Sequence, residues 1–432
     1  MAPLHVIHYN NPNLYEKEDW EVFRSELKEC REMGLDAISV DVWWGLVEKE
    51  GDNIFDWNYY FKVFEEIRSQ DLGVIPIMSF HSFDPGPDYN FRAPIPKWIW
   101  PSLSKTSGLD ILDLKYVSED YDHNGGNYYS EQYVAHWANK WVMPHYIDFI
   151  KSFITTFDDH LKNFREINIS CGPTGELRYP SYDEHDNGRY PNRGRLQCFS
   201  NLAKVDFINF IGAENSSMTL KSIFSNNKTL NSFLNKKDFL KEDKIQMLFQ
   251  WYNNSLMKHG NKMLKTAMDN IPDFIPIGFK MPGVHWKIND PVNPRISEMT
   301  AGLIDGSTLN GNEAYFKSLS LVLKDLPKNR IIFHFTCLEQ ENSIQSSDST
   351  YHYSKAKDLV FDAAYASERL GIKIKGENSL AKNLKKKLSW SRMNDALREG
   401  HYSGLTILRM SDISQSNKVA HLEYKSLIKV YQ

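Results

Sequence analysis

The chain has 432 residues, enough for two or three ordinary domains or for one large α/β barrel with long loops. Its 51 basic and 55 acidic residues leave a formal net charge of −4, which argues against a nucleic-acid binder with a strongly basic face. A hydrophobic share of 41% excludes a disordered chain, and the 13% aromatic share is the outlier. Aromatic rings fill cores, but they also stack on apolar ligand faces.

No run of 18 apolar residues occurs, so no membrane span and no membrane partner are expected. Residues Met1–Asn10 lack a basic stretch followed by an apolar one, so no secretory signal is read and a cytoplasmic location is expected. Cys30, Cys171, Cys198 and Cys337 form no CxxC pair, which fits free thiols and neither a zinc site nor a disulfide framework. The sequons at Asn168, Asn215, Asn227 and Asn253 read as accidental, since Asn168 falls within an expected strand. Zinc-protease, nucleophile-elbow, P-loop and dinucleotide-binding motifs are absent.

Strand-like runs recur from end to end: Leu4–Tyr9, Ala37–Trp44, Val74–His81, Glu166–Ser170, Ile275–Met281, Ile331–Thr336, Ile372–Glu377 and Gly404–Met410. Several are apolar on both faces, as strands covered on both sides should be. Helical stripes lie between them. Trp20, Phe23, Leu27 and Cys30 precede Gly34; Tyr60, Val63, Phe64 and Ile67 precede Gly73; Leu359, Ala363, Ala366 and Leu370 precede Gly371. Eight strands alternating with helices predict a closed (β/α)8 barrel, with an open doubly wound sheet as the competitor. Long insertions follow strands 3 and 4, on the face where such barrels build their sites. Asn226–Lys244 reads as a surface excursion. No linker divides the chain, and one helix (about Asn417–Val430) follows the last strand. The expected organisation is one (β/α)8 domain over residues 1–432, without a separate C-terminal module.

Polar residues gather at the strand ends: Asp41, His81, Glu176, Lys280 with His285 and Trp286, Thr336, Glu377 with Asn378, and Arg409. Each has a plainer explanation. His81 could be a satisfied buried imidazole, Lys280 a solvated cation, Arg409 the partner of a structural acid, and Trp43 and Trp44 core. Together they are more than an apolar core would tolerate unpaired. Glu176 and Glu377 follow strands 4 and 7, which a barrel sets on opposing sides of its mouth. Two facing carboxylates are the equipment of glycoside hydrolysis, and their spacing decides between inversion and retention. Lys280 and Arg409 are cations able to keep one carboxylate ionised. Trp43, Trp44, Tyr179, Tyr182 and Trp286 are candidates to stack on sugar rings.

These motifs resemble the β-amylases, glycoside hydrolases that remove maltose from the non-reducing ends of starch. The resemblance runs from about Leu35 to Asp412. It is carried by Val40–Gly45, by Gly172–Tyr182 around Glu176, by Lys280–Trp286, by Phe335–Glu339, by Gly376–Asn378 and by Leu408–Met410. It implies an inverting hydrolase of α-1,4-glucans with no metal or cofactor, expected to act as a monomer. Glu176 matches the family's general acid and Glu377 its general base. Asp41 and His81 match residues that hold the glucose before the cleaved bond, and Lys280 and His285 match groups on its reducing side. Thr336 matches a mobile inner-loop threonine. Asn378 and Arg409 match residues that orient the base and the substrate.

Two departures stand out. The family's Gly-rich lid after His81 is replaced by Ser82–Asn90, which has lost the tandem glycines and gained two prolines, stiffening the loop. The lid's substrate-binding Asp aligns with Tyr89, and Asp88 stands one position early. The altered lid leaves a second reading open, a glucan- or maltose-binding protein with weak or no catalysis. Ser379 stands where the family usually has Ala.

Overall fold

The computed structural model describes residues 2–4, 17–83, 92–118, 129–181, 194–212, 220–223, 238–292, 294–343, 353–413, 415 and 417–431. Eight strands form one sheet in chain order: β1 (Ala2–Leu4), β2 (Ala37–Trp43), β3 (Gly73–Ser79), β4 (Ile167–Ile169), β5 (Ile277–Met281), β6 (Ile331–Phe335), β7 (Lys373–Glu377) and β8 (Leu405–Thr406). All seven ladders between neighbours are parallel. The sheet curls until β8 lies beside β1 again, with helices outside. This is the (β/α)8 architecture, and the open doubly wound competitor falls away.

Alternation along each strand divides the side chains into two sets. On β2, Ile38, Val40 and Val42 are fully buried, while Ser39, Asp41 and Trp43 line the central cavity. On β5, β6 and β7 the second set continues with Lys280, with His334 and, one residue past β6, Thr336, and with Glu377. The outer set packs on amphipathic helices. Helix Lys17–Met33 buries Trp20, Phe23, Leu27 and Cys30, and Gly34 leaves it with φ 92°. Helix Asn58–Ser69 buries Tyr60, Val63, Phe64 and Ile67, and helix Ala356–Leu370 ends at left-handed Gly371. The three expected stripes are therefore the buried faces of their helices. All four cysteines are buried thiols outside any disulfide.

The strand ends differ from the sequence expectation for local reasons. The first strand covers Ala2–Leu4, and residues 5–9 lie outside the described residues. Trp44 opens a short helix, Trp44–Val47, instead of extending β2. Pro276 has no N–H to give a ladder, and β5 begins one residue later. β8 stops at Thr406 because the N–H of Leu408 donates to the Asn378 side chain (2.7 Å), and Met410–Ile413 then turns as a 3-10 helix. The expected excursion at Asn226–Lys244 is described only from residue 238, and Asp243 already starts helix Asp243–Asn270. Among the described residues, no helix is long and apolar enough to cross a membrane.

Below the mouth the barrel interior is ionic. The buried Glu166 carboxylate, just before β4, accepts from His334 of β6 and Lys375 of β7. Burial alone would raise its pKa, but the two basic partners outweigh burial and hold it at about 2. Gly278 of β5 makes room for this group, since a Cβ there would stand 1.6 Å from Asn168 Oδ1 and 2.9 Å from Glu166 Oε1.

Candidate active site

The strand-end residues converge on one cavity of about 660 Å³ at the carboxyl ends of the strands. Asp41, His81, Glu176, Lys280, His285, Thr336, Glu377, Asn378 and Arg409 all line it, with Trp43 and Trp286. Asp88 and Tyr89 lie outside the described residues, as does Tyr182. Trp44 and Tyr179 are not at the cavity. Trp44 packs edge-on to Phe80 and Tyr146 and donates its indole N–H to Glu48 (2.6 Å), and Tyr179 stacks on Tyr252 at 3.7 Å. Two of the five proposed sugar-facing rings are thus core, because the turn at Trp44 and the packing on Tyr252 direct them inward.

Glu176 is delivered by a tight turn after β4. Thr174 and Gly175 both have positive φ, 56° and 82°, and the backbone then rejoins the sheet through a parallel bridge to Lys280. Gly175 suits this place twice, since its φ favours glycine and a Cβ would meet the His81 ring at 3.2 Å. Burial pushes the Glu176 carboxyl up from its ordinary range, and Arg178, Lys280 and Thr174 pull it only partly back. Arg178 Nε donates to Glu176 Oε2 (3.1 Å), and the Thr174 hydroxyl stands 3.1 Å from the same oxygen.

Across the cavity, Lys280 Nζ donates to Glu377 Oε2 (2.7 Å). Burial works against the Lys280 ammonium, but Glu377, Glu176 and Asp41 outweigh burial and raise its pKa, so it stays charged. Asp41 accepts from the Ser79 hydroxyl (2.7 Å), and burial lifts its carboxyl to about 6. His81 Nδ1 meets Ser170 Oγ at 2.8 Å, and His285 Nδ1 meets Ser354 Oγ at 2.7 Å. Burial lowers these imidazoles to about 3 and about 4, so both are neutral hydrogen-bonding groups at neutral pH. Thr336 Oγ1 accepts from the N–H of Gly283 (2.7 Å). Asn378 Oδ1 accepts from the N–H of Leu408, while its own buried Nδ2 has no hydrogen-bond partner among the described residues, and the residue lines the cavity.

The serine partners and Arg178 escaped the sequence reading. Ser170 lies 89 positions from His81 and Ser354 lies 69 from His285, so only the closed sheet shows the pairing. Among the described residues, no cluster of three or more His, Cys, Asp or Glu could hold a metal ion.

One carboxyl kept high by burial and one carboxylate held by a half-buried ammonium, in a cleft rimmed by tryptophans, define a glycoside hydrolase. The chain belongs to glycosyl hydrolase family 14, whose family model matches residues 1–429. It is 32% identical over 419 residues to the thermophilic β-amylase of Thermoanaerobacterium thermosulfurigenes, covering 92% of this chain and 69% of that one. It is 28% identical to the β-amylase of Bacillus cereus over 442 residues, covering 100% and 74%. The catalytic domain of the Paenibacillus polymyxa β-amylase shares the fold at a TM-score of 0.79 and 24% identity, covering 97% of each chain.

Proposed function

We propose that the chain is a starch-degrading hydrolase that cleaves α-1,4-glucosidic bonds from non-reducing ends and releases β-maltose. Glu176 acts as general acid and Glu377 as general base. The observation that carries this reading is the unequal setting of the two carboxyls on one cavity. Glu176 is raised by burial, and Glu377 is bound to the Lys280 ammonium.

In this mechanism the Glu176 proton moves to the glycosidic oxygen as the C1–O bond breaks. A water molecule on the opposite face attacks C1 and gives a proton to Glu377, so the anomeric centre inverts. Solvent exchange then restores both protonation states. Asp41 and His81 hold the sugar before the cleaved bond, Lys280 and His285 hold the reducing side, and Thr336, Asn378 and Arg409 orient the substrate and base. Asp88 is the candidate lid contact. An uncharged glucan suits an almost neutral chain, since steering by net charge would not help it.

Proton NMR of the first turnovers on maltopentaose tests the reading. The maltose released should be the β-anomer, before mutarotation mixes the two. No maltose at any pH between 4 and 9, or α-maltose first, would sink it.

The electrostatics give a second expected result. Activity requires protonated Glu176, so it declines as pH rises through that group's pKa. Arg178 is the largest influence holding that pKa down. Arg178→Met should therefore move the alkaline limb of the kcat/KM profile to higher pH, while kcat/KM at the optimum falls. A limb that stays put or moves to lower pH contradicts the assignment of Glu176 as the acid.

A further inference from the structure

His81 meets its serine at the point where two neighbouring strands end. β3 and β4 pair in register at Ile77–Asn168 and Met78–Ile169, and the N–H of Ser170 adds one more bond to the carbonyl of Met78 (3.2 Å). Ser170 and His81 therefore leave the sheet side by side, with Ser170 Oγ 2.8 Å from His81 Nδ1. The Ser170 backbone is held at its carbonyl too, where the Tyr133 hydroxyl donates (3.3 Å). The imidazole is confined as well. Trp43 lies edge-on at 5.1 Å between ring centroids, and a Cβ on Gly175 would stand 3.2 Å from Cε1. The other ring nitrogen, Nε2, has no hydrogen-bond partner among the described residues, and His81 lines the cavity.

A neutral imidazole carries one proton, on Nδ1 or on Nε2, and the group bonded to one nitrogen decides which. Ser170 is fully buried, and among the described residues its hydroxyl has one hydrogen-bond partner, His81 Nδ1. Were Nδ1 protonated, it would donate to the serine. The hydroxyl proton would then be buried without an acceptor, which is costly. With the hydroxyl donating to Nδ1 instead, both groups are satisfied and the ring proton stays on Nε2. The ring is neutral near pH 7, because burial, with Lys280 and Arg178 adding to it, holds its pKa at about 3. Nε2–H is then a donor in the cavity. Asp41, the other group assigned to the same glucose, only accepts when ionised, so the two side chains recognise opposite halves of a hydroxyl's bonding capacity.

We propose that Ser170 is a positioning residue that sets the tautomer of His81: its hydroxyl donates to Nδ1, so Nε2 keeps the proton and donates a hydrogen bond to an oxygen of the bound glucose. Ser170 does not itself line the cavity, and it acts through the ring. The proposal rests on the reading of His81 as a group that holds the sugar before the cleaved bond.

The test is a long-range proton–nitrogen correlation spectrum of the full chain carrying isotope-labelled histidine, recorded at pH 7 with and without maltose. His81→Gln, which lacks one imidazole, identifies the His81 signals among those of the 14 histidines. In the parent, Nδ1 should resonate as an unprotonated nitrogen and Nε2 as a protonated one, and maltose should move Nε2 while leaving Nδ1 in place. Ser170→Ala should bring the two resonances toward one another as the tautomers mix. It should also raise KM on maltopentaose roughly threefold with kcat changed less than twofold, the effect of weakening one neutral hydrogen bond. Ser170→Thr, which keeps the hydroxyl, should return both readouts toward the parent. A protonated Nδ1 in the parent overturns the proposal. So do unchanged resonances or an unchanged KM in the alanine variant, or an Nε2 that saturating maltose does not move. If Ser170→Ala does not fold, the parent spectrum decides alone. A parent that shows this tautomer and the maltose shift, yet releases no maltose from glucan, overturns the hydrolase reading instead, and the two failures are thereby distinct.

Discussion

Glu176→Gln should abolish most turnover, with kcat on maltopentaose down by a factor on the order of 10³, the size expected when a positioned general acid is removed. The amide keeps the shape of the carboxyl and can still meet Arg178 and Thr174, which hold Glu176 now. Folding and maltose affinity should therefore survive, with the midpoint unchanged and the dissociation constant within a few-fold by calorimetry. The loss should also depend on the leaving group. A substrate such as a maltosyl fluoride, whose departing atom needs little protonation, should recover much of the rate. A variant that remains fully active on glucans, or one equally slow on both substrates, refutes the role of Glu176.

Glu377→Ala should be comparably severe, with kcat reduced by roughly 10² to 10⁴. It differs in two respects. The Lys280 ammonium loses its 2.7 Å partner, so some loss of stability is expected as well. The space vacated lies where a small anion can enter. Azide should attack C1 directly and give β-maltosyl azide, detectable by mass spectrometry and by its anomeric coupling. Formation of the α-azide would mean a retaining route, and no rescue combined with parental activity would remove Glu377 from the chemistry.

Much of this site was legible because barrel geometry turns sequence position into spatial position. A polar residue at the carboxyl end of a parallel strand faces the mouth, and the period of two selects which one. Asp41, Lys280, Thr336 and Glu377 were identified by that rule, and all four line the cavity. What could not be read was pairing between strands. The Ser79–Asp41, Ser170–His81 and Ser354–His285 bonds join residues 38, 89 and 69 apart, and a serine carries no periodic signal. The Glu166–His334–Lys375 group was hidden for the same reason, its members spanning 209 positions. Aromatic residues were the other weak point. Trp43 and Trp44 are adjacent in one motif, yet one lines the cavity and the other is core. The helical turn at Trp44 separates them, and sequence alone does not locate that turn.

The strand-3 loop offers a practical consequence. Phe83 and Ala93 exchange backbone hydrogen bonds, 2.7 and 2.9 Å, and the Phe83 ring packs 5.7 Å from Trp43. Both ends of the segment between them are thus anchored to the barrel independently of its contents. A protein engineer who exchanges sequences between Phe83 and Ala93 therefore works against one fixed pair of attachment points, whose two backbone bonds set the span that any replacement must bridge.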